Sequence, residues 1–235
     1  MHLDRCIINS DAFPERDVYP FSLEVLHSTE SIDFTSPVTF FAGENGSGKS
    51  TLLQAIARRA NIHIWKGFQR SRYVRNKHED QLYRFLTLEW SNGLVPGAFF
   101  AAEIFKNFSQ LLDEWASTDP GVLEYFGSKS LLVQSHGQSH MAYFEHRFGI
   151  KGLYLLDEPE NALSPRTQLQ LLEIMKKGAA SGDAQFIIAT HSPILLSLEG
   201  ARILSFDTAP VREIDFKETD HYRIYRDFFD NIRES

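Results

Sequence analysis

Residues 43–51 read "GENGSGKST", a match to G-x-x-x-x-G-K-[ST], and the reading of the whole chain hangs on them. The apolar run Val38–Ala42, "VTFFA", precedes them and "LLQAIARRA" follows, so a strand runs into a glycine loop and then a helix. In that context Gly43, Gly46 and Gly48 can take backbone angles that turn successive N–H groups inward. The following helix adds the positive end of its dipole, and together they cradle a di- or triphosphate. Lys49 would reach the β- and γ-phosphates, Ser50 would ligate Mg²⁺, and Thr51 flanks them. Gly43, Glu44, Asn45, Gly46, Ser47, Gly48, Lys49, Ser50 and Thr51 are the nucleotide-binding candidates.

Working outward, the strand candidates are Phe21–Leu26, Val38–Ala42, Leu82–Glu89, Leu153–Leu156, Phe186–Ala189 and Arg202–Phe206, with helical patterns between several of them. Such alternation predicts an α/β sheet. "LYLL" and "FIIA" are apolar on both faces, as central parallel strands covered by helices should be. Phe21–Leu26 and Ser31–Phe34 suggest a small N-terminal antiparallel layer. Residues 95–134 read as a helical insertion, and 207–235 as a C-terminal strand and helix. In the last stretch Tyr222, Tyr225, Phe228, Phe229 and Ile232 recur at helical spacing after a Thr219 cap, predicting an amphipathic helix whose aromatics join the core.

The chain has 235 residues, 43% of them hydrophobic, enough for one large core, and residues 1–235 are read as one domain. The longest apolar run, Val95–Phe105, contains Pro96, Gly97 and Glu103 and is shorter than the roughly 20 residues that span a bilayer. No membrane insertion is expected. The mixed-charge start has no apolar export signal, and the single Cys6 allows no internal disulfide, so a cytoplasmic location is expected. The net charge of −7 argues against wholesale nucleic-acid binding.

A second chemical signal is "LYLLDEPENALSP". An apolar strand ending in Asp157-Glu158 sets two carboxylates at the carboxyl end of a parallel strand, where α/β sheets carry their sites. One can support magnesium and the other can polarise a water toward the γ-phosphate.

With the phosphate loop, the LDEP segment and "IIATHSP" in this order, the chain resembles the ATP-binding-cassette (ABC-type) P-loop ATPases from about Val38 to Phe206. The resemblance implies an ABC-type nucleotide-binding domain with a mostly parallel central sheet. It implies Asp157 as magnesium ligand beside Ser50, Glu158 as catalytic base, Asn161–Ser164 as a loop that crosses to a partner subunit, and His191 as the histidine that contacts the γ-phosphate. "SHGQ", Ser135, His136, Gly137 and Gln138, matches the superfamily's signature Leu-Ser-Gly-Gly-Gln in part; His136 replaces the first glycine and Val133-Gln134 departs from the usual leucine. Gln138 lies nineteen residues before Asp157, about the family's spacing. In the family this element serves the nucleotide of the other subunit, as suits a helix N-terminus that favours an anion. ATP and Mg²⁺ are thus the expected ligands, and a homodimer formed on ATP binding the expected assembly. The absence of coiled coils between phosphate loop and signature makes the chain most similar to small stand-alone predicted bacterial ABC-type ATPases. Glu103 is the candidate for the position that senses the γ-phosphate, and Tyr19 or Phe21 for the ring beside adenine.

What hydrolysis would drive is left open among a nucleic acid, a protein partner and a transporter. From Arg58 to Arg84 stand eight basic residues (Arg58, Arg59, Lys66, Arg70, Arg72, Arg75, Lys77 and Arg84), interleaved with Trp65, Phe68 and Tyr73. Such a stretch suits a nucleic-acid strand or a solvated loop.

Overall fold

The computed structural model describes residues 1–65, 76–126 and 129–233. In chain order its strands and helices are β1 (Leu3–Ile8), α1 (Glu24–Ser28), β2 (Ser31–Asp33), β3 (Val38–Ala42), α2 (Lys49–Arg59), β4 (Leu86–Trp90), β5 (Gly97–Ala101) and α3 (Ala102–Thr118). There follow α4 (His136–Arg147), β6 (Gly152–Asp157), α5 (Pro165–Ala180), β7 (Ala184–Ala189), α6 (Pro193–Leu196), β8 (Arg202–Ser205), β9 (Arg212–Glu213) and α7 (Asp220–Arg233).

Six strands form one sheet in the order β5-β6-β7-β3-β8-β9, and β2-β1-β4 form a second, antiparallel sheet of three. All neighbours in the large sheet run parallel except β8 and β9. Every residue of β3, β6 and β7 is buried, which explains why these strands read as unbroken apolar runs. Gln185 ties the two sheets together: its carbonyl accepts from His2 N and Leu3 N at 2.8 Å each, and its amide donates to Leu3 O at 2.9 Å. A fully buried amide is tolerated because its polar atoms are satisfied.

Register positions the site. Ala101 pairs with Asp157, Asp157 with Ala189, and Phe41 with Ala189, so β5, β6, β7 and β3 end level with one another. The segments after them therefore emerge side by side at the carboxyl edge, the usual place for a ligand in an open α/β sheet.

The small antiparallel layer exists, but not from Phe21–Leu26. That stretch leads into α1, with Phe21, Val25 and Leu26 buried on one side at helical rather than alternate spacing. Its side chains cover the glycine loop, for a Cβ added to Gly48 would lie 3.3 Å from Leu23 and Val25. The layer is built instead from β1, β2 and β4. Residues Leu82–Phe85 form a 3-10 turn, so only the second half of the expected strand Leu82–Glu89 is extended. The stretch 95–134 opens with β5 before turning helical at α3. In the C-terminal stretch β9 and α7 form as expected, but the aromatics do not enter the core. Ile224, Tyr225, Phe228, Phe229 and Ile232 are all more than half exposed; α7 follows the edge strand β9, and its first turn is tied to the body through His221 and Thr219. No helix among the described residues is long and apolar enough to cross a membrane.

Candidate nucleotide-binding site

β3 delivers the chain into the loop of residues 43–48, and Gly48, at φ +104°, starts α2 from a left-handed conformation that only glycine adopts without strain. Lys49 is buried, and its ammonium donates to Gly43 O at 2.6 Å and Glu44 O at 2.8 Å. The loop thus curls around the cation that would face a phosphate. Burial lowers the Lys49 pKa, while the carboxylates of Asp207, Glu158, Asp157 and Glu44 oppose that shift. Asp207, just past β8, accepts from Glu44 N at 2.7 Å and braces the loop from outside.

Ser50 and Asp157, joined in the reading of the sequence, touch: the Ser50 hydroxyl donates to Asp157 Oδ1 at 2.7 Å. Burial pushes the Asp157 carboxyl up to about 6, against hydrogen bonds from Ser50 and Gln54 that pull it down. A buried carboxylate with a hydroxyl oxygen beside it fits a hard divalent cation. Among the described residues no cluster of three or more His, Cys, Asp or Glu could hold a metal by itself. Mg²⁺ in general takes one or two protein oxygens and completes its octahedron with phosphates and water.

Glu158 follows Asp157 at φ +47°, a left-handed conformation unusual for a residue with a side chain. Three bonds hold it: Glu158 N donates to Ala189 O at 2.9 Å, Asn161 N donates to Glu158 O at 3.1 Å, and Asn161 Nδ2 donates to Glu158 Oε2 at 2.7 Å. Its other oxygen lies 3.6 Å from His191 Nε2. His191 enters from the segment after β7, fastened by Glu160, whose Oε1 accepts from both Thr190 Oγ1 and His191 N at 2.7 Å. His191 Nδ1 lies 3.1 Å from His221 Nε2 on α7. Burial lowers the pKa of His191 and, as the first cause, that of His221. Lys49, Ser50, Asp157, Glu158 and His191 therefore converge from three strand ends.

The signature candidate opens α4 and lies at the surface. Ser135 donates through both its backbone N–H (3.2 Å) and its hydroxyl (2.9 Å) to Gln138 Oε1, and Ser135, His136 and Gln138 are exposed. A Cβ at Gly137 would lie 3.1 Å from Ala162 O, so the glycine lets the first turn of α4 sit on the Asn161–Ser164 segment. These two segments belong to one face.

Residues 134–197 match the family described as "AAA domain, putative AbiEii toxin, Type IV TA system", and residues 22–58 the family described as "AAA domain". CbiO1 from Clostridium perfringens, part of the ABC transporter complex cbiONQ, is 16% identical, with 96% of this chain and 94% of that chain covered at a TM-score of 0.51. The fold is that of an ABC-type P-loop ATPase. An SMC head domain from Thermotoga maritima is 15% identical over 92% of this chain and 99% of that chain, at a TM-score of 0.48. No curated protein matches the chain.

Within the ABC-type fold the remaining candidates separate. Glu103 lies exposed in the first turn of α3, two residues past the Ala101 that pairs with Asp157. Phe21 is fully buried against Phe13, Phe85 and His78 and cannot stack on adenine. Tyr19 is 44% exposed, its hydroxyl 2.8 Å from Thr51 Oγ1, and it stays as the candidate ring. In the basic stretch, Arg58 pairs with Asp80 at 2.9 Å and Lys77 with Glu15 at 2.5 Å, while Trp65 packs on Phe108 and Trp115. Lys66, Phe68, Arg70, Arg72, Tyr73 and Arg75 lie outside the described residues. Reading the sequence missed Gln54, Glu160, Asp207 and His221. Glu160 stands inside the quoted acidic segment and His221 inside the helical C-terminal stretch; Gln54 and Asp207 carry no local pattern that marks them.

Proposed function

We propose that the chain is a Mg²⁺-dependent ATP hydrolase that works as a homodimer closed on two nucleotides. The observation that carries this reading is the Ser50–Asp157 contact beside Lys49, with Glu158 and His191 facing each other next to it. Gly43 to Thr51 would wrap the phosphates, with backbone N–H groups and Lys49 as donors. Ser50 and Asp157 would hold the magnesium ion, which neutralises charge on the β- and γ-phosphates. Glu158 takes a proton from the attacking water as its oxygen bonds to the γ-phosphorus; the bond from that phosphorus to the bridging oxygen breaks, leaving ADP and phosphate. His191 donates to a γ-phosphate oxygen. The exposed start of α4, with Ser135 to Gln138, would complete the site of the second subunit, and the Asn161–Ser164 segment would cross beside it.

The cycle would couple to a partner. Nucleic acid is supported only by the basic stretch, and two of its described cations are already paired with carboxylates. A protein partner, engaged as by a switch, is favoured by the uncovered apolar face of α7. A transporter role has no feature of its own here.

The test uses Glu158→Gln, which should lose on the order of 10²–10⁴-fold in turnover while binding Mg-ATP, and should form an ATP-dependent dimer seen by light scattering. Adding Ser135→Arg should block that dimer, yet leave a monomer that binds a fluorescent ATP analogue almost normally. Loss of monomer binding in the double variant would put Ser135 in its own subunit's pocket and refute the composite site. DNA or RNA that stimulates wild-type hydrolysis would favour nucleic acid over protein.

A further inference from the structure

We propose that His221, the second residue of α7, is a positioning residue for His191: its Nε2–H donates to His191 Nδ1 and holds His191 in the tautomer whose Nε2–H faces the nucleotide. The inference rests on the hydrolytic reading above and deepens it.

The argument begins with which atoms can donate. His191 Nδ1 and His221 Nε2 lie 3.1 Å apart, so one proton stands between them. A neutral imidazole has one donor and one acceptor, and the partner of one nitrogen sets the state of the other. On its far side His191 Nε2 is buried, has no hydrogen-bond partner, and lies 3.6 Å from Glu158 Oε1. A carboxylate and a phosphate oxygen both only accept, so a lone pair on Nε2 would face lone pairs. The proton of His191 therefore belongs on Nε2, its Nδ1 must accept, and the donor can only be His221 Nε2–H.

The charges around the pair agree. Glu158 and Glu44 face His191 and favour its proton, Lys49 opposes it, and the Glu160 carboxylate is engaged with the His191 backbone N–H behind the ring. Asp207, Glu44 and Asp220 face His221, again with Lys49 opposed. Burial and mutual repulsion outweigh these carboxylates at His191, where the pKa is lowered, and burial does so at His221. Two neutral rings joined by one proton are the consistent state at neutral pH.

The first turn of α7 delivers His221. Thr219 is buried, donates to Phe216 O at 2.7 Å and accepts from Tyr222 N at 3.2 Å, and the Phe216 and Tyr222 rings lie 4.9 Å apart. The helix beyond is open to solvent, bordering a groove of about 900 Å³ that Glu158 and His191 also line. The contact therefore ties a helix with an uncovered face to the residue expected on the γ-phosphate.

The experiment combines ¹⁵N NMR of the histidine rings with ATPase kinetics on wild type, His221→Leu and His221→Gln. In the wild type His191 should be the Nε2–H tautomer. In His221→Leu it should become a mixture, with kcat down roughly tenfold, about the worth of one hydrogen bond, and KM for ATP unchanged. Gln carries an amide N–H at the right reach, so His221→Gln should recover most of kcat and the tautomer. In a His191→Ala background His221→Leu should cost nothing more, because it acts through His191. An Nδ1–H tautomer in the wild type, a normal kcat and tautomer in His221→Leu, or an additive loss in the double variant would each overturn the proposal. A wild type without ATPase activity would instead refute the hydrolytic reading, while its His191 tautomer, measured without any variant, would still decide the hydrogen bond.

Discussion

α4 and α7 are of similar length, twelve and fourteen residues, and their sequences promise the opposite of what they do. α4 starts in "HGQSH" and shows little apolar stripe, yet it buries Ser139, His140, Met141, Tyr143 and Phe144. α7 repeats apolar residues at helical spacing through its whole length and leaves five of them exposed. The difference lies in what stands opposite. α4 lies over β5 and against α3, where Phe100 and Phe105 meet His140, Tyr143 and Phe144 with ring centroids 4.6–5.8 Å apart. α7 follows the two-residue edge strand β9 and has no such neighbour among the described residues beyond its first turn. A stripe names the face that needs cover; it does not supply the cover.

Three measurements can break or sharpen this contrast. Phe144→Ala should cost about 3–5 kcal/mol in denaturant unfolding, since the ring is fully buried among other rings. A cost below about 1 kcal/mol would mean α4 is no more embedded than α7.

His140 offers a smaller effect that reads the same surroundings by pH. Burial among Phe100, Phe105 and Phe144 depresses its pKa to about 4 from 6.5. Between these values the unfolded chain holds the proton that the folded one refuses, so stability should fall as pH drops from 6.5 to 4, by up to about 3 kcal/mol from this group. His140→Leu should flatten that part of the pH profile; an unchanged slope would mean that water reaches the ring.

Phe228→Ser and Phe229→Ser should each shift stability by no more than about 0.5 kcal/mol, because neither ring is buried. Losses of 2 kcal/mol or more in dilute solution, read from the same unfolding curves, would show α7 to be packed.

The parts of the site that were legible in the sequence are those whose chemistry is set within a few residues. Gly43 to Thr51 announce a loop because glycine torsions, a lysine and a hydroxyl must occur at fixed offsets; in the structure Lys49 bonds Gly43 O and Ser50 bonds Asp157. The fully buried runs of β3, β6 and β7 were legible for the same reason. By contrast, Phe21–Leu26 looked extended because its apolar residues also fit alternate spacing over so short a run, and β5 hid inside an apolar stretch that carries Pro96 and Gly97.

The sequence by itself determined a glycine loop between strand and helix on a parallel sheet and the acidic strand end. Only the tertiary structure decided that His221 would reach His191 across thirty residues of chain, that Glu160 would fasten the segment carrying that histidine, that Asp207 would brace the loop, and that α7 would keep its apolar face in water. The physical reason is range. Backbone torsions and strand burial are written into neighbouring residues. A contact between distant side chains exists only once register brings the strand ends level and the edge of the sheet leaves one helix without a neighbour.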